Sequence, residues 1–447
     1  MGEKIVGSLE GEALNKILAD YDKDPKNAVV RHALSRSSLT DAVYDSSCEA
    51  NATMHFSVEV KTMAVANQKR SGRCWIFAGL NFLREIIAKK LDLKSFELSQ
   101  NYISLYDKIE KANYALETIA SLSDRQPTDR VLMFILSSPI SDGGQWDMFV
   151  NLVKKYGLMP KEAFPETRQS NETAKSNFLV NAAIRDFAHK AHELHLAGKL
   201  DEIQALKEKT IEKIYHFYLN AFGVPPKTFD FQYSNSKDEY HIERGYTAKS
   251  FFEKYIGDEI DDYQSLINSP TDDKPYLRNF TVDYLGNVVE GKPINHLNIE
   301  MERMKELIIA QLKDGKPVWF GSDVSFYRDT DGFAWNSGAF DYESAFGLDV
   351  KFDKGAMLDF RHSAMNHAML ITGVDIVDEK PMKWKIENSW GSSSGENGYF
   401  VMNADWFNRF VYQAVVDRKY LTDEERSAAS GDPIHLDPWD PMGTLAD

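Results

Sequence analysis

The string Gln68-Lys-Arg-Ser-Gly-Arg-Cys74-Trp75 constrains this chain more than any other segment. Cys74 is one of only two cysteines in 447 residues, and an apolar run begins directly behind it. Phe77, Leu80, Phe82, Leu83, Ile86 and Ile87 recur at helical spacing, which predicts a helix over Trp75 to Ile87 with Cys74 in its first turn. A thiol there feels the positive end of the helix dipole, which favours the thiolate, the form that attacks carbonyls. Gly72 permits a tight turn ahead of the helix, and Gln68 offers a side-chain amide donor upstream. Most free cysteines are small buried hydrophobes, so a nucleophile assignment needs partners.

A cysteine nucleophile requires a base, and the base requires a group that orients it. His367 opens the apolar run Ala368-Met-Leu-Ile-Thr-Gly-Val374, which reads as a buried strand. Asn388 follows in Lys385-Ile-Glu-Asn-Ser-Trp-Gly391, at the end of a second strand. If the two strands pair, Asn388 accepts from one imidazole nitrogen, the other nitrogen faces Cys74, and Trp390 shields the bond from water. Taken singly, His367 is a core histidine and Asn388 a turn residue; together with Cys74 they form a set.

Ser71-Gly-Arg-Cys-Trp75 resembles the papain-type cysteine peptidase signature, with Ser71 where the family usually has a cysteine and its disulfide. Asn366-His-Ala368 and Asn388-Ser-Trp-Gly391 are similar to that family's histidine strand and asparagine turn, and Leu98-Ser-Gln100 to the segment after its active-site helix. Asp142-Gly-Gly-Gln-Trp146 looks like the glycine wall of its substrate cleft, where Gly143 and Gly144 would let a peptide pair as an added strand. His367 follows Cys74 by 293 residues, leaving roughly 140–160 more than papain-like spacing requires. With that insertion, Arg73 and the tail Trp439-Asp-Pro-Met-Gly-Thr-Leu-Ala-Asp447, the chain resembles the bleomycin hydrolase and bacterial aminopeptidase C family over nearly its whole length. The resemblance implies an α+β papain-like fold: a helical subdomain plus an antiparallel half-barrel, with a large, mainly helical insertion. It also implies a cytosolic, homohexameric cysteine aminopeptidase whose tail lies in the active-site cleft.

The expected organisation is an N-terminal arm over 1–60 and a helical subdomain over 61–166. An insertion serving oligomerisation covers 167–299, a β-barrel subdomain with His367 and Asn388 covers 300–430, and the tail covers 431–447. Helices are expected near 9–21, 100–120, 146–156, through most of 167–222, and over 300–313; strands over 228–233, 317–321, 368–374, 383–387 and 399–402. No stretch approaches the roughly 18 consecutive apolar residues of a membrane span, and the N-terminus lacks a signal-peptide core. Cys48 and Cys74 provide no disulfide framework, which fits a reducing cytoplasm. A net charge of −16 opposes binding to phosphate backbones and disfavours a nucleic-acid partner.

His189, His192 and His195 suggest a metal, but their spacing is not that of a zinc peptidase. They are read as a solvated helix face, and neither metal nor cofactor is expected. His362 precedes the strand in a loop and lacks the Asn-His-Ala context. Pro433, Pro438, Pro441 and Gly443 exclude a helix from the tail. Trp439, Met442 and Leu445 suit an anchored tail better than a free one. So placed, Ala446 and Asp447 would fill the non-primed cleft and set a carboxylate where a substrate's α-ammonium sits. Asp447 carries two carboxylates, and trimming back to Ala446 is conceivable. The expected catalytic set is Cys74, His367, Asn388 and Gln68, with Gln68 and the Cys74 N–H as oxyanion donors. Gly143, Gly144, Trp390, Ala446 and Asp447 line the substrate site. The competing readings are an endopeptidase of the same family and, in another class, a nucleic-acid-binding or inactive structural homologue.

Overall fold

The computed structural model describes residues 7, 9, 11–50, 52–328, 332–348, 350 and 352–446. Helix Cys74–Leu91 starts at the cysteine itself and ends where Asp92 turns left-handed at φ 53°. Thirteen of its residues, from Cys74 through Ala88, are buried, because apolar side chains occupy all its faces and other elements cover each of them. Helix Gln100–Ser121 begins at Ser99, whose hydroxyl caps Tyr102 N–H at 3.1 Å. Helix Trp146–Tyr156 follows the glycine wall.

Against these helices lies a sheet whose centre runs Tyr263–Ile267, Val411–Asp417, Val318–Ser322, His367–Val377, Lys380–Glu387 and Tyr399–Asn403, each antiparallel to the next. Strands His367–Val377 and Lys380–Glu387 form a hairpin, with Asp378 and Glu379 both at positive φ in its turn. This hairpin carries His367 at one strand's start and Asn388 just past the other's end.

The architecture is the expected α+β papain-like one, with two differences. The segment 167–299 divides in two. Helices Ala174–Leu196 and Leu200–Phe222 form the helical part, whereas Tyr263–Ile267, Arg278–Val282 and His296–Asn298 belong to the barrel sheet. The half-barrel is also mixed rather than purely antiparallel, since His296–Asn298, Ala334–Trp335 and Ile434–Leu436 each pair parallel with a neighbour. These edge pairings join segments distant in sequence, and local periodicity carries no trace of them.

The tail also differs from expectation. Pro441–Ala446 forms a 3-10 turn; proline is tolerated at the first helical position, where its missing N–H has no partner to lose.

Candidate active site

Cys74 is buried and unbridged, and its sulfur accepts the Ala368 N–H at 3.4 Å. The nucleophile candidate thus lies against the first residues of the histidine strand. His367 Nε2 donates to Asn388 Oδ1 at 2.9 Å, which leaves Nδ1 as the ring nitrogen free to serve the thiol. Asn388 is itself held, because Oδ1 also accepts the Ser389 N–H at 2.7 Å. The Trp390 ring stacks on His367 with centroids 5.0 Å apart and planes at 28°. The structure thus brings Asn388 and Trp390 onto His367 and sets Cys74 against the neighbouring Ala368.

Burial governs the electrostatics. It pushes the Cys74 thiol up to about 11, against hydrogen bonds that favour the thiolate. It pushes the His367 imidazole down to about 4, against the Asn388 hydrogen bond that favours the imidazolium. Desolvation thus opposes the thiolate that the helix start favours, and it opposes the imidazolium as well.

Gln68 is fixed from both ends of its amide. Nε2 donates to Ser71 O at 2.7 Å and Oε1 accepts from Ser389 Oγ at 2.5 Å. A primary amide has two N–H donors, so one remains for a ligand. Ser71 Oγ donates to Gln68 O at 2.6 Å and accepts from Arg73 Nε at 2.8 Å. Arg73 is fully buried, and its Nη1 meets both Glu166 oxygens at 3.1 Å, an ion pair that fastens the nucleophile loop.

The glycine wall holds the chain's own tail. Gly144 N–H donates to Leu445 O at 3.0 Å, and Ser141 Oγ donates to Ala446 O. A Cβ on Gly143 would lie 2.3 Å from Leu445 O, so only glycine admits a backbone this close. Gln145 Nε2 reaches Met442 O at 3.2 Å and Thr444 Oγ1 reaches Met365 O at 2.8 Å. Met442, Leu445 and Ala446 are buried, and Trp439 lies 3.7 Å beneath the Arg130 guanidinium. Asp447 lies outside the described residues.

Sequence reasoning missed Asp142 as a junction. Its carboxylate accepts from Gly72 N–H at 3.1 Å, Lys108 Nζ at 2.5 Å, Asn177 Nδ2 at 2.9 Å and the Thr173 hydroxyl. Its carbonyl accepts from Trp75 Nε1 at 2.7 Å. One residue thereby ties the nucleophile loop, the glycine wall and the inserted helices together. The only sequence signal was its place beside Gly143. Of the three histidines read as solvated, only His189 is exposed; His192 and His195 meet Ser123 at 2.9 and 3.3 Å. Among the described residues no cluster suited to a metal occurs, and no helix is long and apolar enough to cross a membrane.

A model of the Peptidase C1-like family matches residues 8–443. The chain belongs to that family. It is 42% identical over 439 residues to Aminopeptidase C of Lactobacillus delbrueckii subsp. lactis, covering 97% of this chain and 98% of the relative. It is 41% identical to Aminopeptidase C of Streptococcus thermophilus, over 98% and 99% of the two chains. The crystal structure of PepW from Lactobacillus rhamnosis HN001 superposes with a TM-score of 0.95 at 41% identity, covering 98% of this chain and 99% of that one.

Proposed function

We propose that this member of the Peptidase C1-like family is a cysteine aminopeptidase that releases N-terminal residues from peptides, with its own tail limiting access to the cleft. Relatives at this identity and coverage carry the name Aminopeptidase C. In this reading Cys74 Sγ attacks the carbonyl after the first residue as its proton passes to His367. His367 then protonates the leaving amine, and water hydrolyses the acyl-enzyme with His367 as base. Asn388 holds the imidazole in the tautomer this requires. The spare Gln68 N–H and the Cys74 backbone N–H receive the oxyanion, a role in which one donor is commonly worth ~10²–10³ in kcat.

The observation that carries the aminopeptidase reading is the tail on the wall. The Gly144 N–H that would pair with a substrate's non-primed backbone is already bonded to Leu445 O. A substrate then has room for little beyond its first residue, because Leu445 and Ala446 already occupy the wall. Deleting residues 444–447 should weaken hydrolysis of free-amine peptides and open the cleft to N-acetylated or internal sites. An unchanged preference for free N-termini would refute the tail's role, and retained specificity for internal bonds in the intact chain would favour the endopeptidase reading.

Beyond the active site, we read 1–60 as an arm, 61–166 and 300–430 as the two papain-like subdomains, 167–299 as the inserted region and 431–447 as the tail. Assembly as a homohexamer is supported by apolar side chains left on the surface. Leu14, Ile17 and Leu18 are exposed on a helix with no buried residue, and Phe178, Leu179, Leu196 and Leu200 are exposed on the inserted helices. Unbridged Cys48 and Cys74 favour the cytoplasm. Light scattering that returns a stable monomer at micromolar concentration would refute the assembly.

A further inference from the structure

Arg328 stands beside the Trp390 ring, and none of the chemistry above uses it. Its guanidinium carbon sits 4.7 Å from the centroid of the Trp390 ring, the same ring that stacks on His367. The positive charge is felt at the imidazole, where it opposes protonation. Among the described residues no carboxylate pairs with it, although half-buried arginines usually acquire a partner. Burial shifts its own equilibrium downward. The residue is nonetheless held: its backbone bridges to Trp335, a buried ring 6.4 Å from Trp390.

The same side chain lines a cavity of about 320 Å³ whose walls include Phe326, Tyr327, Tyr342 and His362. His362 is fixed there between Phe326 and Phe352, at ring distances of 4.9 and 4.7 Å. No acidic side chain is among the lining residues. The volume suits one or two amino-acid residues. An aromatic-walled cavity lined by a guanidinium that, among the described residues, pairs with no carboxylate is matched to an apolar group that carries an anion.

We propose that this cavity is a leaving-side subsite in which Arg328 captures the C-terminal carboxylate of a short peptide, so that the enzyme favours peptides ending just beyond the scissile bond. The proposal rests on the reading of His367 as the acid that protonates the leaving amine, because that role puts the leaving half of the substrate beside Trp390. Arg328 is then a specificity residue that binds substrate and takes no part in bond making or breaking. Its planar fork offers a carboxylate two parallel N–H donors, and Trp390 keeps the fork from turning away.

The test compares alanyl-phenylalanine with alanyl-phenylalanine amide, each assayed for kcat/KM by quantifying released alanine. The unaltered chain should favour the free acid. In Arg328→Gln the acid-to-amide ratio should fall about tenfold, the factor conferred by one charge-assisted hydrogen bond at the low end of its range. In Arg328→Lys, which keeps the charge, most of the ratio should survive. A ratio that is the same in Arg328→Gln as in the unaltered chain overturns the proposal. Should the glutamine variant not fold, inhibition of the unaltered enzyme by N-acetyl-phenylalanine and by its amide decides the matter, and equal inhibition overturns the proposal. Failure of the catalytic reading shows itself differently. Cys74→Ala would then still hydrolyse both substrates, and the subsite would lose its basis with it.

Discussion

Replacing Asp142 by asparagine should cost more than its nearly identical shape suggests. Four donors converge on the carboxylate, two on each oxygen. Gly72 N–H and the Thr173 hydroxyl meet Oδ2, while Lys108 Nζ and Asn177 Nδ2 meet Oδ1. An amide presents an NH₂ to one of those pairs whichever way it turns, so two donors lose their acceptor, and the buried Lys108 ammonium loses its counter-ion. Hydrogen bonds to charged groups are worth about 1.5–3 kcal/mol each, and breaking a buried ion pair costs about 3–5 kcal/mol. A loss of about 3–5 kcal/mol follows. For 447 residues the unfolding entropy is about 0.9 kcal/mol/K, so Tm should drop by about 3–5 °C.

The pH dependence separates this account from a general packing defect. Burial opposes the Asp142 charge, but Lys108 and the hydrogen bonds from Lys108, Thr173 and Asn177 outweigh it and hold the carboxyl well below its ordinary range. A carboxylate depressed in the folded state contributes stability that is complete above its unfolded pKa of 3.8 and is lost only as pH falls further. The penalty in Asp142→Asn should therefore be equal at pH 6 and pH 8. Since Gly72 N–H loses its acceptor, the nucleophile loop loosens and kcat should fall, by up to about a hundredfold. Calorimetry at the two pH values and steady-state kinetics provide the check. A penalty under about 1 kcal/mol with unchanged kcat, or one that vanishes at pH 6, would refute the reasoning.

Other outcomes test neighbouring parts of the molecule. Asn388→Ala leaves the His367 tautomer unset, so kcat should fall about tenfold to a hundredfold, part of the ~10²–10⁴ that positioned acid–base groups contribute; KM should move little, and an unchanged kcat would count against the pairing. Asp147 is pushed up to about 6 by burial, against the Asn295 N–H, Arg418 and Lys292. Its native form therefore binds a proton that the unfolded chain releases, and stability should decline as pH rises from about 4 through 6. Asp147→Asn keeps an acceptor for Asn295 N–H, removes that slope and should stabilise the protein at pH 7 by on the order of 3 kcal/mol; urea titrations at pH 4.5 and pH 7 measure both effects.

The candidate site was legible because its members sit in local contexts that each state a conformation. Cys74 ahead of an apolar helical run, His367 ahead of a buried strand and Asn388 ahead of Trp-Gly are short-range patterns, and each element lies where its pattern put it. The helices over 100–121, 146–156 and 174–222 were legible for the same reason. Strand Val411–Asp417, at the middle of the sheet and buried throughout, was not. A strand covered on both faces shows no alternation, so its residues do not announce a period. Likewise Ile434–Leu436 becomes a strand by pairing with Arg278–Val282, a segment far away in sequence that also pairs with His296–Asn298.

The sequence by itself determined which chemistry the chain carries, since reactive side chains and the turns that present them are local properties. The tertiary structure set the electrostatic surroundings of that chemistry. A helix-start cysteine favours its thiolate in isolation, yet burial between the helix and strand His367–Val377 pushes Cys74 to about 11. Desolvation depends on everything packed around a group, and no window of sequence contains that. The same holds for Asp142, Glu166 and Arg328, whose roles come from partners brought to them by folding. It holds too for the tail, whose prolines argued against a helical turn until Met442 and Leu445 found a core to enter.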